Sequence, residues 1–283
     1  MRIGRIPYIN CYPVYGAIDR GIVTLDGTLV DGIPSALNQQ MADGTLDVSV
    51  VSAVEYARDS RRYLLLPDLA ISCDGPVRSV MLFSKRPARD LSGHRVIVSR
   101  SSMTSVALVE LLCEHVWRAR PEFVPGNSEL ADIARFGEEA HEARLVIGDA
   151  ALILNDARRG ARDGADARYP YVVYDLGSEW KAWTGLPFVF AVWVAQRTTP
   201  VAPALAAHAS LIASREWGLT HLDELAQQAN RVTGVARAAC VEYFEGLDYG
   251  LGYEHLAGLT EFFRRLVAAG RVPNGTLAFL PAA

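Results

Sequence analysis

The chain has 283 residues, half of them apolar, and its formal net charge is −4. That length can hold one large core or two of ordinary domain size, and the scattered Lys and Arg residues exclude the basic surface needed to bind nucleic acid or an anionic membrane. Four cysteines are spaced too widely for a metal knuckle or a CxxC redox pair: Cys11, Cys73, Cys113 and Cys240.

Short apolar runs alternate with helix-length amphipathic segments along most of the chain, which is typical of an α/β fold. Strands are predicted at 1–6 and 46–52. The segment 35–46 predicts a helix between them, which Ser35 would cap and Gly44 would end.

The next predicted strand, "SVMLFSK" at 79–85, precedes a polar connector that contains Pro87 and Gly93. We place the first domain boundary in this connector. The charged, glycine-rich stretch 155–170 predicts a solvated helix end and loop, and Gly270 would end the last helix. The other predicted elements are strands at 95–99, 143–152, 171–177 and 187–196, and helices at 101–117, 201–229 and 259–270.

A β-rich beginning, a central α/β unit and a helical tail together indicate two lobes. Residues 1–88 and 194–283 would form the first lobe and residues 89–193 the second, so the chain would cross between the lobes twice. Lobes joined in this way close on a ligand in the crevice between them by hinge motion. The sequence therefore predicts a small-molecule site in an interlobe crevice.

The N-terminal stretch "MRIGRIPYIN" reaches polar and proline residues within a few positions, unlike a secretory signal. No apolar run approaches the roughly 20 residues that span a bilayer. We therefore expect a cytoplasmic protein without a membrane partner.

The sequence lacks the motifs GxGxxG, GxxxxGK[ST], HExxH and GxSxG, which weakens nucleotide-binding, zinc-protease and hydrolase interpretations. The six histidines have no acidic or cysteine partner at ligand spacing. Short polar clusters remain, at the ends of predicted strands, where open α/β sheets bind their ligands.

Three of these clusters fall within the predicted first lobe. Tyr8 and Asn10 follow the first strand in "PYIN", Ser52 lies in "VVSAVEYA", and Ser79 begins a strand after Arg78. Asn10 and Ser52 also suit ordinary turns or helix caps, and Ser79 could face solvent. If "PYIN" forms the crevice floor, Asn10 supplies a neutral donor and acceptor that does not repel an anion.

Hydroxyl groups crowd the start of the predicted helix "SSMTSVALVELL", at Ser101, Ser102, Thr104 and Ser105. One helix cap needs one hydroxyl, so four favour the binding of a carboxylate or phosphate at the helix start. Asp149, in "VIGDAAL", would bond a substrate hydroxyl or cap the following helix. Thr184 lies in a turn beside aromatic residues that would pack a hinge or wall a ring-shaped ligand.

In their order, the segments "GRIPYIN", "SAVEYA", "RSVMLFS", "SSMTSVALVELL", "LVIGDAAL" and "WTGLPFVFAVW" resemble the chorismate dehydratase family of the futalosine route to menaquinone. The resemblance covers nearly the whole chain and implies the two-lobed fold of type II periplasmic binding proteins. It also implies a carbon–oxygen lyase that removes water from chorismate to give 3-[(1-carboxyvinyl)oxy]benzoate, without a metal or another cofactor.

The resemblance further implies roles for individual residues. Asn10 and Ser79 would contact the substrate and assist catalysis, and a carboxylate of the substrate would take the proton, since the candidate positions contain no histidine or obvious lysine. Ser102, Thr104 and Ser105 match the family's helix start and would bind a carboxylate. The remaining candidate substrate-binding residues are Tyr8, Ser52, Asp149 and Thr184.

Three other functions stay open. 1,4-Dihydroxy-6-naphthoate synthase, of the same pathway and fold, typically opens with a "SPCPNDT"-like segment and uses a histidine base. A non-catalytic protein that captures a small anion would share the fold but would be exported. A ligand-sensing domain of a transcription regulator would carry a helix-turn-helix, which neither end of the chain predicts. The sequence does not indicate the oligomeric state.

Overall fold

The computed structural model describes residues 1–160 and 170–281. The strands are β1 (Arg2–Arg5), β2 (Thr28–Asp31), β3 (Val48–Ser52), β4 (Tyr63–Cys73), β5 (Val80–Ser84), β6 (Arg95–Ser99), β7 (Glu122–Gly126), β8 (Ala143–Ile147), β9 (Val172–Asp175) and β10 (Phe188–Gln196). The helices are α1 (Tyr12–Asp19), α2 (Pro34–Ala42), α3 (Ala53–Arg58), α4 (Met103–His115), α5 (Gly148–Gly160), α6 (Leu176–Thr184), α7 (Val201–Thr220), α8 (Leu222–Thr233), α9 (Arg237–Glu245) and α10 (Tyr253–Ala268). Of the glycine-rich stretch predicted at 155–170, residues 161–169 lie outside the described residues.

Each lobe is built on one five-stranded mixed sheet. The strand orders are β2-β1-β3-β10-β4 and β7-β6-β8-β5-β9. In the first sheet β1 runs parallel to β2 and β3, whereas β10 runs antiparallel to β3 and β4. In the second sheet β6 runs parallel to β7 and β8, whereas β5 runs antiparallel to β8 and β9. These sheets confirm the predicted α/β fold with two lobes and two crossings.

The crossings lie at different places from those that the sequence predicts. β5 belongs to the second sheet, although the boundary predicted at 88 assigns it to the first lobe. β10 belongs to the first sheet, although the boundary predicted at 193 assigns most of it to the second lobe. The chain crosses in 74–79 and returns in 185–187. The predicted boundaries are wrong because proline and glycine mark a loop without revealing which sheet the preceding strand joins.

The central strands of both sheets carry the core. Every residue of β3, β5, β8 and β10 is buried. Strands covered on both faces are nearly continuous apolar runs, as in "FVFAVWVA" of β10. Because burial of one large aliphatic side chain contributes about 1.5–3 kcal/mol, these strands contribute much of the stability of both sheets.

Local signals place some helix ends correctly and others wrongly. Gly44 has a φ of 71° just after α2, as expected of a residue that ends a helix. Ser35 does not cap α2, because the helix begins at Pro34, whose fixed φ and missing N–H suit the first turn. The strand predicted at 143–152 is shorter than expected, since α5 begins at Gly148.

Within residues 1–160 and 170–281, no helix is both long and apolar enough to cross a membrane. The same residues contain no cluster of three His, Cys, Asp or Glu side chains arranged to hold a metal ion. The four cysteines are buried and free, and burial raises the pKa of each thiol. They are therefore poorly suited to act as thiolates at neutral pH.

Candidate functional site

A cavity of about 80 Å³ lies between the two sheets. It is smaller than the roughly 300–1,000 Å³ of typical ligand pockets, so the lobes must part to admit a ligand of ordinary size. Its polar lining consists of Tyr8, Asn10, Ser52, Ser79, Ser102 and Ser105. The structure thus brings together six of the nine predicted site residues, from both lobes.

Several larger depressions lie elsewhere among the described residues, and two of them illustrate the difference from the interlobe cavity. One, of about 380 Å³, lies within the first lobe between α3, α10 and the C-terminal segment, and its walls are mainly apolar. The other, of about 590 Å³, lies at the C-terminal end of α4 and mixes Arg with Glu side chains. We take the interlobe cavity as the candidate site because polar groups converge on it from strand and helix ends.

Asn10 supplies an unpaired acceptor to this cavity. It lies in a short 3-10 turn, Ile9–Cys11, between β1 and α1. Its Oδ1 atom is buried and has no hydrogen-bond partner in the part of the chain that the structure describes. A buried unpaired acceptor costs roughly 1–3 kcal/mol, so its presence points to a ligand that donates a hydrogen bond. The break of the first strand at "PYIN" therefore places Asn10 in the lining of the cavity.

Tyr8 reaches from the first lobe to the second. Its hydroxyl donates to Oε1 of Glu129 at 2.5 Å, and Ser101 donates to the same oxygen at 2.7 Å. Its ring lies against Gly148, where an added Cβ atom would come within 3.2 Å of the ring. Burial, with Glu129 beside it, raises the pKa of the Tyr8 phenol, which therefore stays protonated.

Ser52 is both a helix cap and a donor to the cavity. Its Oγ accepts from the backbone N–H of Glu55 at 3.3 Å, as predicted for a cap, and from Nδ2 of Asn38 at 3.0 Å. Two protein donors occupy the lone pairs of this hydroxyl. Its own proton is therefore left for a ligand.

At the serine-rich start of α4, Ser102 and Ser105 line the cavity, whereas Thr104 does not. Ser102 caps α4 by accepting from the N–H of Ser105 at 3.3 Å, and it donates to Oγ of Ser105 at 2.8 Å. The Ser105 proton is therefore left for a ligand. Thr104 is not in the lining, because its hydroxyl accepts from the N–H of Val54 at 3.3 Å and joins the two lobes.

Ser79 lies in the first crossing, next to the second lobe. Arg78 before it has a φ of 62°, a left-handed conformation uncommon for a non-glycine residue. The Ser79 Oγ lies 2.9 Å from the Tyr243 hydroxyl and 3.3 Å from the carbonyl oxygen of Val77. Its carbonyl accepts from the N–H of Gly148 at 2.8 Å, which fixes Ser79 to the start of α5.

Asp149 and Thr184 lie outside the cavity lining. Asp149 does not cap its own helix, since its Oδ1 accepts from the N–H of Ile9 in the other lobe at 3.1 Å. Burial raises the pKa of Asp149 to about 6. Thr184 ends α6, where its hydroxyl donates to the carbonyl of Trp180 at 2.9 Å and accepts from the N–H of Leu186 at 3.2 Å.

Several residues of the site are absent from the sequence prediction. Asn38, Glu129 and Tyr243 hold lining side chains in place. Asn38 gave one signal, as a polar residue on a mostly buried helix face, whereas Tyr243 lies 164 residues from its partner and gave none. The apolar walls consist of Ile6, Pro34, Ile71, Val77, Val80, Ile147, Phe190 and Ala191.

The cavity is neutral and rich in hydrogen-bond donors. Among the described residues that line it, none is Lys, Arg, His, Asp or Glu. The free protons of Ser52 and Ser105, together with the N-terminal end of α4, favour an anion. Asn10 favours a hydroxyl group. The arrangement can therefore orient a molecule that carries both groups.

Comparison with known proteins gives a family for the chain. The family model described as menaquinone biosynthesis matches residues 1–268. The chain is 31% identical over 270 residues to the chorismate dehydratase of Thermus thermophilus, covering 92% of this chain and 95% of that protein. It is 26% identical over 196 residues to the chorismate dehydratase of Campylobacter jejuni, covering 68% and 66% respectively.

Solved structures share the fold at lower identity. A protein of Archaeoglobus fulgidus has a TM-score of 0.77 and 19% identity, covering 96% of this chain and 98% of that one. The alkanesulfonate-binding protein of Xanthomonas axonopodis pv. citri, bound to MOPS, has a TM-score of 0.69 and 11% identity, covering 98% and 96%. These likenesses establish a fold of the periplasmic-binding-protein type.

Proposed function

The chain belongs to the menaquinone biosynthesis family, and on that premise we propose that it is a hydro-lyase that converts chorismate to 3-[(1-carboxyvinyl)oxy]benzoate. The observation that carries the proposal is the unpaired Oδ1 of Asn10 in a cavity otherwise rich in donors. A matching ligand offers a hydroxyl to Asn10 and oxyanions to the donors. Chorismate carries a ring hydroxyl and two carboxylates.

The charge balance of the cavity supports a dianionic ligand held by neutral groups. Ser52 and Ser105 would donate to carboxylate oxygens, and the positive end of the α4 dipole would stabilise one of them. The apolar walls would pack against the ring. Closure of the lobes excludes water, which strengthens each of these hydrogen bonds.

The proposed reaction is the loss of water from neighbouring ring carbons. The hydrogen on carbon 3 is removed as a proton, and its bonding electrons form the double bond to carbon 4. The bond from carbon 4 to oxygen breaks with its electrons on oxygen, and the hydroxide leaves as water once it gains a proton. The ring becomes aromatic, which supplies the driving force.

Asn10 and Ser79 would act on the departing hydroxyl. Asn10 Oδ1 accepts its hydrogen and fixes its direction, while Ser79 donates to its oxygen as negative charge develops there. The cavity lining holds no basic side chain among the described residues, so a carboxylate of the substrate is the proposed proton acceptor. The protein then contributes orientation and electrostatic stabilisation.

The direct test incubates the purified protein with chorismate, without added metal or nucleotide, and follows product by chromatography and mass spectrometry. We expect an aromatic product lighter by one water. Asn10→Ala and Ser79→Ala should each lower kcat about 100-fold or more. Ser210→Ala on α7, whose hydroxyl bonds the carbonyl of Thr24, is the control and should keep wild-type kcat. Normal turnover in either site variant would contradict the assigned roles.

A binding protein without catalysis is the second candidate, since the alkanesulfonate-binding protein shares the fold. Equilibrium dialysis with chorismate distinguishes this candidate from the enzyme. Tight binding with chorismate recovered intact would favour a binding protein over a dehydratase. 1,4-Dihydroxy-6-naphthoate synthase is the third candidate. Chorismate that neither binds nor reacts would favour it over the dehydratase.

A further inference from the structure

Tyr243 contacts Ser79 from outside the cavity lining. It lies on α9, and only 2% of its surface is exposed. Its hydroxyl oxygen is 2.9 Å from Oγ of Ser79, although the two residues are 164 positions apart. The contact joins a helix of the first lobe to the segment where the chain crosses to the second.

The direction of this hydrogen bond follows from the partners of the two hydroxyls. If Ser79 donated to Tyr243, the buried phenol proton would have no acceptor among residues 1–160 and 170–281. If Tyr243 donates, both groups are satisfied. Burial raises the pKa of the Tyr243 phenol, so it keeps the proton that it donates.

The Ser79 proton is then available to the cavity. Within the described structure its acceptor is the carbonyl oxygen of Val77 at 3.3 Å, which is longer than the roughly 2.5–3.0 Å of an ordinary O–H···O bond. A substrate oxygen at normal distance would compete successfully for this proton. A hydroxyl that accepts a hydrogen bond also becomes a stronger donor.

We infer that Tyr243 is a positioning residue, which donates to Ser79 and thereby turns the serine proton toward the departing hydroxyl of the substrate. The inference rests on the proposed function. It explains why a buried phenol, rather than a phenylalanine, packs against the crossing.

An adjacent contact holds α9 in register with the crossing. The guanidinium of Arg78 donates to the carbonyl oxygen and to Oε1 of Glu242, both at 2.8 Å. Residues 78 and 79 thus contact residues 242 and 243 in order. This pairing leaves the Tyr243 hydroxyl little freedom to move away from Ser79.

The test uses Tyr243→Phe, which removes the phenol oxygen and keeps the ring. We expect kcat for chorismate to fall about 10- to 100-fold while KM changes less than about threefold, because the bond matters most when charge develops on the departing oxygen. In a Ser79→Ala background the same change should lower kcat less than about twofold, since no hydroxyl is left to orient. A merely structural tyrosine would reduce kcat equally in both backgrounds.

Tyr249→Phe is the matched control. Tyr249 is also 2% exposed, and its hydroxyl has no hydrogen-bond partner among the residues that the structure describes. It should keep wild-type kcat. If Tyr243→Phe fails to fold, Tyr243→3-fluorotyrosine keeps both shape and donor and should retain kcat within about twofold, whereas a larger loss would contradict the inference.

The outcomes separate the two proposals. A wild-type protein that leaves chorismate intact overturns the proposed function, and this inference with it. Wild-type turnover with an unchanged kcat in Tyr243→Phe, or with equal losses in both backgrounds, overturns the inference alone. An equal loss in Tyr249→Phe would also overturn it, because the effect would then belong to buried phenols in general.

Discussion

The two lobes contact each other on two sides that are built differently. On the hinge side, made of the crossing 74–79 with Asp175 and Glu242, single residues accept several hydrogen bonds. The Asp175 carboxylate accepts from two N–H groups of the crossing, and Glu242 accepts from Arg78 through its carboxylate and through its carbonyl oxygen. On the cavity side, Tyr8, Thr104 and Asp149 each make one hydrogen bond to the other lobe within the described structure. We therefore expect the hinge side to be the more firmly held, so that the lobes part on the cavity side when a ligand enters.

Among variants that test this difference between the two sides, Asp175→Ala should have the largest effect on stability. The half-buried carboxylate accepts from the N–H groups of Val77 and Arg78 at 3.0 and 2.7 Å, and from those of Gly177 and Ser178 at 3.0 and 3.1 Å. Leaving several buried donors unpaired should lower the free energy of unfolding by about 3 kcal/mol or more, measured by urea denaturation. A loss below about 0.5 kcal/mol, as expected of a surface acid, would show that the hinge is not fixed by Asp175.

The next effect concerns pH on the cavity side. The pKa of Asp149 is raised from 3.8 to about 6 in the folded protein, so its contribution to stability is fully present below pH 3.8 and is lost as pH rises through 6. Relative to Asp149→Asn, the wild type should lose roughly 2–3 kcal/mol of unfolding free energy between pH 4 and pH 8. Parallel pH curves for the two proteins would contradict this.

Asp149→Asn also tests whether the proton acceptor is a substrate carboxylate or Asp149. Because asparagine can still accept from the N–H of Ile9, the contact between the lobes should survive in Asp149→Asn. If a substrate carboxylate takes the proton, turnover at pH 8 should stay within about fivefold of wild type. A loss of about 100-fold or more, with stability intact, would instead make Asp149 the base.

A smaller effect is expected from Gly148→Ala. The φ of 63° at Gly148 disfavours a side chain, and the new Cβ atom would press on the Tyr8 ring from 3.2 Å. We expect a stability loss of about 1–2 kcal/mol and a higher KM for chorismate. Gly137→Ala is the control, because its Cβ atom would meet no described residue within 4 Å. An equal change in stability and KM in both variants would show that contact with the Tyr8 ring does not cause the effect.

The smallest effect should come from Tyr8→Phe, which removes only the bond to Glu129. One such hydrogen bond contributes about 1–2 kcal/mol, so the ligand-free lobes should part more readily. Small-angle X-ray scattering should record a larger radius of gyration than in wild type. An unchanged radius would show that other contacts close the cavity side.

Features that depend on neighbours in the sequence could be predicted. Ser52 accepts from the N–H three residues later, a contact already indicated by its position before an amphipathic run. The break after β1 likewise indicated a polar site at Asn10. These predictions rest on local backbone geometry, which a short sequence determines.

Features that depend on distant partners could not be predicted. Asp149 accepts from a residue 140 positions away, and Ser79 contacts one 164 positions away. Nothing in the periodicity near Asp149 indicates that its acceptor serves the other lobe instead of its own helix. The crossings were misplaced for the same reason, since strand partnership depends on the whole sheet.

The insertion of β10 between β3 and β4 affects the order in which the two sheets fold during synthesis. Residues 80–175 supply every strand of the second sheet in one continuous stretch, so that sheet can form as soon as they leave the ribosome. β4 must wait, because the strand and bridge partners described for it, β10, Asp248 and Phe279, all come later in the chain. A nascent chain that stalls before residue 188 would therefore expose β4 as an unpaired apolar edge.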